Sequence, residues 1–118
     1  MGQDASMIMG YGVIISKPDN PLEDFSSIDK DKDVRIDWRN PENNGPLFLG
    51  FNGDIDGEHE VVLFVTSTLV KSDWSEVTEF NPDLMHVPDW ADDLLRAFCD
   101  RHGISFESPR WLITVTYS

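Results

Sequence analysis

The chain has 118 residues, of which 40% are hydrophobic, and this length and composition are typical of one folded domain. Its 22 Asp and Glu residues against 9 Lys and Arg residues give a net charge of −13, which disfavours direct binding to nucleic acid or to anionic membranes. No stretch reaches the ~18 consecutive apolar residues of a membrane span, and the single Cys99 excludes an internal disulfide, so we expect a cytoplasmic protein.

The first element predicted along the chain is a strand over residues 8–16, after a flexible leader over residues 1–7. Apolar side chains alternate along one side of this strand, which is the period of a sheet. Gly10 and Gly12 lie on the other side and leave room for a group to pack close to the backbone. A second strand is predicted over residues 34–39, where apolar and charged residues alternate strictly.

Two further apolar segments, residues 47–51 and 60–70, are joined by the sequence NGDIDGEHE. The Asn-Gly and Asp-Gly pairs in this linker favour tight turns between antiparallel strands. We therefore predict a long hairpin at the centre of the sheet. Residues 71–87 have weak periodicity and contain a proline, which indicates a crossover with at most a short helix.

The strongest helix signal lies between Asp89 and Gly103. Asp89 is predicted as the N-cap, acidic residues occupy the first turn, and Gly103 follows the last turn. The apolar stripe that should face the sheet consists of Ala91, Leu95, Phe98 and Cys99 together with Leu94. A last strand is predicted over residues 110–118.

These elements follow one another in the order β-β-β-β-α-β. Runs of strands with a single helix are typical of an α+β domain, so residues 8–118 are predicted to form a mainly antiparallel sheet of about five strands with one principal helix packed on one face.

Asp29, Asp31 and Asp33 are spaced like the first ligands of an EF-hand calcium loop. Such a loop also needs a glycine at its sixth position and a glutamate at its twelfth, and here these positions are Val34 and Asn40. We interpret the segment as a solvated, charged turn whose three aspartates are dispensable for folding.

The other patterns for metal ligands and nucleophiles are also incomplete. The acidic hairpin tip at residues 52–60 has Leu63 at the twelfth position of such a loop, which leaves open only a weak divalent-metal site. Cys99 and His102 are three residues apart on the predicted helix, but structural zinc needs further ligands and the chain has no second cysteine. Because Cys99 lies in the apolar stripe, we expect it in the core. No cofactor and no enzymatic activity are expected.

Negative charge is concentrated between Asp54 and Asp93, where eleven acidic residues are accompanied by one basic residue, Lys71. Large apolar residues alternate with these acids and are suited to anchor an interface. A concentrated negative field steers a basic protein into contact. The predicted partner-binding residues are Asp54, Asp56, Glu58, Trp74, Glu76, Glu79, Asp89, Trp90, Asp92 and Asp93.

These features suggest a small acidic protein-binding module that masks a basic partner by occupancy, in the manner of an immunity protein, an antitoxin or a phage-encoded inhibitor of a nucleic-acid-binding enzyme. The inhibitor class follows by analogy between small acidic domains and basic enzymes. Two alternatives stay open: a non-inhibitory subunit or assembly factor of a larger complex, viral or otherwise, and a small enzyme or weak divalent-metal binder that uses the acidic tip.

Overall fold

Five strands and one α-helix have defined bounds in the computed structural model, which describes residues 5–19, 21, 28, 31–34, 45–54, 59–73, 79 and 81–117. The strands are β1 (Ala5–Ser16), β2 (Leu47–Asp54), β3 (His59–Val65), β4 (Val70–Asp73) and β5 (Arg110–Tyr117). The helix is α1 (Ala91–His102), and short 3-10 turns occupy Thr66–Thr68 and Pro82–Leu84. The fold is α+β, with a mixed five-stranded sheet.

The sheet has the strand order β3-β2-β5-β1-β4, with a further pairing between β3 and β1. β1 pairs antiparallel with β3, β4 and β5, and β2 pairs antiparallel with β3. β2 and β5 run parallel and are paired only where Gly53 meets Thr116 and Asp54 meets Tyr117. The pairings therefore form a closed circuit through β1, β3, β2 and β5, and the sheet is mixed where the sequence predicted a mainly antiparallel one.

Both sides of this sheet bury apolar side chains. On one side α1 covers a core whose strand residues are Val13, Ile15, Leu47, Leu49, Val61, Leu63 and Val65. On the other side a smaller cluster of Phe48, Val62 and Phe64 is flanked by Ile8, Ile14, Leu69 and Leu112. Because β3 contributes to both clusters and pairs on both edges, its sequence is apolar throughout and does not alternate.

The glycines of β1 are positions of close approach, as predicted. A Cβ atom at Gly12 would lie 2.0 Å from the backbone oxygen of Leu63 on the neighbouring strand. A Cβ atom at Gly10 would lie 2.9 Å from the ring of Phe64, and one at Gly50 would lie 2.6 Å from the same ring. The ring of Phe64 therefore occupies the space that glycine leaves on two strands.

The apolar segment 60–70 forms two strands rather than the single strand predicted. A 3-10 turn at Thr66–Thr68 separates β3 from β4. The hydroxyl of Thr68 donates to the carbonyl of Val65 at 2.7 Å and accepts from the amide of Tyr11 at 2.9 Å. The Thr68 side chain thus bonds the Tyr11 amide at the bend, between the part of β1 that pairs with β3 and the part that pairs with β4.

The C-terminal end of α1 follows the predicted signals, and its N-terminal end does not. Gly103 adopts a left-handed φ of 65°, and the amide of Ile104 donates to the carbonyl of Cys99 at 2.9 Å, which is a Schellman motif. Asp89 is not the N-cap: Trp90 holds that position, and its side chain makes no capping hydrogen bond. The chain enters the helix through a turn in which the amide of Ala91 donates to the carbonyl of Pro88 at 3.0 Å.

Other boundaries also differ from those predicted. β1 begins at Ala5, so residues 5–7 belong to the sheet and not to a leader. The hairpin of β2 and β3 is present, and each of its strands is paired on both edges, β3 also with β1 and β2 also with β5. Of the strand predicted over residues 34–39, Val34 forms a parallel bridge to Leu47, and residues 35–39 lie outside the described part.

No helix in the described part of the chain combines the length and the apolar character that a membrane crossing requires.

Thr114 offers a test of packing beside Gly50. Its hydroxyl is buried and has no hydrogen-bond partner in the described part of the chain. Thr114→Val keeps the shape and removes the unpaired polar atom, so we expect the free energy of unfolding to rise by about 1 kcal/mol. Urea denaturation followed by tryptophan fluorescence measures this change.

Thr116→Val is the matched control, because the hydroxyl of Thr116 donates to the carbonyl of Phe51. Loss of that bond should lower the free energy of unfolding by about 1 kcal/mol. If the two variants were destabilised equally, the Thr114 hydroxyl would have to be hydrogen-bonded in the folded protein.

Candidate protein-binding surface

The start of α1 carries a group of exposed acidic residues around one exposed tryptophan. Asp92 and Asp93 lie in the first turn, where the partial positive charge of the helix N-terminus stabilises carboxylates. Asp89 precedes the helix, and Trp90 between them is 46% exposed. We name these four residues, Asp89, Trp90, Asp92 and Asp93, the acidic helix start.

The acidic helix start is joined to the sheet through Tyr11. The Tyr11 hydroxyl donates to a carboxylate oxygen of Asp92 at 2.8 Å. Burial, this hydrogen bond and the negative charge of Asp92 all raise the pKa of Tyr11. The Tyr11 ring contacts Trp111 edge to face, with centroids 5.8 Å apart. The first turn of α1 therefore lies beside the part of the sheet where β1 and β5 pair.

That part of the sheet has an apolar side that α1 does not cover. In the β1–β5 register Tyr11 is opposite Trp111, Met9 opposite Ile113 and Met7 opposite Val115, so these side chains share one side. Ile113 is 60% exposed and Met7 43% exposed. We name as the apolar face the residues that lie outside both described core clusters, Met7, Met9, Trp111, Ile113 and Val115.

The structure brings together only some of the predicted partner-binding residues. The four of the acidic helix start form one surface, and Glu79 is also exposed. Asp54 ends β2 and is paired with Tyr117 by its backbone, so it belongs to the sheet and not to a free hairpin tip. Asp56, Glu58, Trp74 and Glu76 lie outside the described residues.

Sequence reasoning missed the apolar face. Alternation along β1 and β5 indicates that one side of each strand is apolar, and a buried side is the usual interpretation. In the structure α1 covers the half of β1 that contains Val13 and Ile15 and does not extend over the other half. The signal that could have revealed it is a comparison of sizes. A helix of 12 residues, such as α1, is too small to cover one side of five strands.

Asp31 corrects the interpretation of the aspartate segment as a solvated turn. Its side chain is only 5% exposed and accepts from the guanidinium of Arg101 at 2.9 to 3.1 Å. His102 Nε2 lies 2.5 Å from the same carboxylate, and the amide of Asp33 donates to it at 3.0 Å. Asp31 therefore ties the segment before β2 to the last turn of α1, and Asp29 lies outside the described residues.

The charge on Asp31 is held by these donors. Burial alone would raise the pKa of Asp31, but the hydrogen bonds from the Asp33 amide, His102 and Arg101 outweigh it and lower the pKa below its ordinary value. Arg101 also binds Asp33 at 2.9 Å, and burial opposes but does not overcome the effect of the two carboxylates, which raise the pKa of Arg101. The cluster is a structural cross-link between the two segments.

Cys99 lies in the core, as its position in the apolar stripe predicted. Its side chain is fully buried, and burial followed by the nearby charge of Asp100 raises the pKa of the thiol to about 11. The thiolate is the nucleophilic form and the metal-binding form, so this thiol is unsuited to either role. No group of three or more His, Cys, Asp or Glu side chains among the described residues is arranged to hold a metal ion.

Comparison of the chain with protein-family models, with curated proteins and with solved structures found no match.

Proposed function

We propose that the chain is a small acidic protein-binding module that masks a basic partner, an inhibitor of the immunity-protein or antitoxin type directed at a nucleic-acid-binding enzyme. It acts by occupancy and performs no chemistry of its own. The observation that carries the proposal is the acidic helix start, an exposed tryptophan set among three exposed carboxylates. Tryptophan is the residue type most enriched where binding energy concentrates in interfaces.

The charges of this surface are available to a partner. None of the salt bridges found in the described residues involves Asp89, Asp92 or Asp93. The described interaction of these carboxylates is the hydrogen bond that the uncharged hydroxyl of Tyr11 donates to Asp92, which leaves the negative charge of Asp92 unneutralised. The whole chain carries a net charge of −13, so the surface attracts a basic protein over distances of about a Debye length, ~10 Å at 0.1 M salt.

Masking follows from the kind of partner that such a surface attracts. A nucleic-acid-binding enzyme presents its basic groups where phosphates bind. An acidic module that docks on those groups competes with the nucleic acid for the same site. Inhibition then needs no conformational change in either protein.

Charge reversal at two sites tests this function. The partner is captured from the native host and identified, and its association with the chain is measured at two ionic strengths. We expect Asp89→Lys with Asp93→Lys to slow association by about tenfold and to reduce its salt dependence. Asp92 is left unchanged because it accepts the hydrogen bond from Tyr11.

Asp19→Lys with Asp100→Lys is the matched control, since both residues are exposed and the change in net charge is the same. If both double variants slowed association equally, the effect would come from net charge alone and not from this surface. If neither variant changed association, the acidic binding surface would be refuted. Masking itself is tested by adding a labelled oligonucleotide: a stable ternary complex would favour the non-inhibitory subunit.

A further inference from the structure

We propose that the apolar face receives an amphipathic basic helix of the partner, which lies beside α1 and completes the helical layer on that side of the sheet. This inference rests on the proposed function and specifies the kind of element that the partner presents. The apolar side chains of that helix would pack on Ile113 and Met7, and its Lys and Arg side chains would face the acidic helix start.

The first support for this proposal is that the elements described on this side leave part of the sheet exposed. α1 packs on the half of β1 that carries Val13 and Ile15, together with β2 and β3. The other half of β1 and its neighbour β5 carry apolar side chains on the same side, and the two most exposed are Ile113 at 60% and Met7 at 43%. A sheet side of this kind is normally buried under a second helix.

The second support is the rigidity and shape of the face. Met7, Met9, Ile113 and Val115 lie on paired strands, so their spacing is set by the β1–β5 ladder. Helices that pack side by side on a sheet have axes about 10 Å apart, roughly the width of two strands. The β1–β5 pair therefore offers the width that one additional helix needs.

The third support is charge, which selects the occupant. Asp92 contacts Tyr11, and Tyr11 contacts Trp111 at the edge of the apolar face. A helix on this face has the carboxylates of the acidic helix start along one flank, which favours Lys and Arg there. Arg96, one turn further along α1, stacks on the ring of Phe106.

The same charge disfavours a second copy of this chain as the occupant. Two copies that met through their apolar faces would bring two net charges of −13 together and would place the acidic helix starts near one another. The negative charge that repels a second copy attracts a basic partner.

Three synthetic peptides of about 18 residues, five helical turns, test the proposal. The first has a leucine stripe flanked by lysines, the second has the same composition in scrambled order, and the third replaces every lysine with glutamate. Affinities are measured by fluorescence anisotropy, and contacts are mapped by NMR with the labelled chain. The indole signals of Trp111 and Trp90 report on the apolar face and on the acidic helix start respectively.

We expect the amphipathic basic peptide to bind at least about tenfold more tightly than the scrambled one. Its contacts should include Met7, Ile113 and Trp111. Ile113→Ser should weaken its binding by about fivefold to tenfold. Ala97→Ser, an exposed position on α1, is the control and should leave binding unchanged.

Equal binding of the basic peptides, with shifts only at Trp90 and Asp93, would refute the apolar face as a binding site and leave the acidic surface standing. Equal binding of the amphipathic basic and acidic peptides would refute the selection by charge, and with it the support for the proposed function. Dimerisation of the chain alone, abolished by Ile113→Ser in sedimentation experiments, would identify a second copy as the occupant and overturn the proposal. Absence of binding by all three peptides would also overturn it.

Discussion

Gly12→Ala should force β1 and β3 apart and should strongly destabilise the native fold. The added methyl group would lie 2.0 Å from the backbone oxygen of Leu63, and a backbone atom cannot turn aside as a side chain can. We expect a loss of about 3 kcal/mol or more, a large part of the 5 to 15 kcal/mol that stabilises a typical domain. Urea denaturation, or the absence of a cooperative transition, measures it.

Gly103→Ala is the control for this substitution. A Cβ atom there meets nothing within 4 Å, and the cost comes only from its left-handed φ of 65°. We expect a loss of about 1 to 2 kcal/mol. If Gly12→Ala were no more harmful than Gly103→Ala, the two strands could not approach as closely as the structure has them.

Asp31→Asn should destabilise the fold by about 1.5 to 3 kcal/mol, the range for hydrogen bonds to charged groups. The substitution keeps the size of the side chain and removes the charge that Arg101 and His102 contact. Because Arg101 is partly exposed, its guanidinium regains water, so the loss stays below that of a fully buried pair. Thermal or urea denaturation at neutral pH measures the difference.

The same residue predicts a dependence of stability on acid. The pKa of Asp31 is lower in the folded chain than its ordinary value of 3.8, so the folded state binds this proton less readily than the unfolded state. Its contribution to stability is complete above the ordinary pKa and is lost as the pH falls through the lowered one. Asp31→Asn should therefore flatten the decline in stability below about pH 4.

Asp19→Asn is the control for the acid experiment, because Asp19 is exposed. It should leave the slope of stability against pH close to that of the parent chain. A decline that is as steep in Asp31→Asn as in the parent would show that other carboxylates control acid unfolding.

The elements that the sequence predicted well are those with local signals. Periodicity and turn residues located the β2–β3 hairpin, and the glycine after His102 located the end of α1. The elements predicted poorly depend on contacts between distant parts of the chain. Thr68 bends the strand because it binds Tyr11, 57 residues away, and Asp31 is buried because it meets Arg101, 70 residues away.

The candidate surface also has one part that local sequence signals predicted and one part that they did not. Acidic residues in the first turn of α1 are a local signal, and the structure places Asp92 and Asp93 there. The apolar face has no local signal, because alternation in β1 and β5 does not reveal how far a helix elsewhere in the chain extends over them. Only the register that sets Met9 opposite Ile113 brings its members together.

The closed circuit of strand pairings has a consequence for biosynthesis. β1 is synthesised before β5, yet Ala5 pairs with Tyr117 and Gly12 with Arg110. One edge of β1 therefore stays without its partner until translation has passed β5, and a free strand edge invites pairing with other nascent chains. The net charge of −13 makes such chains repel one another, so we expect it to oppose this pairing during synthesis.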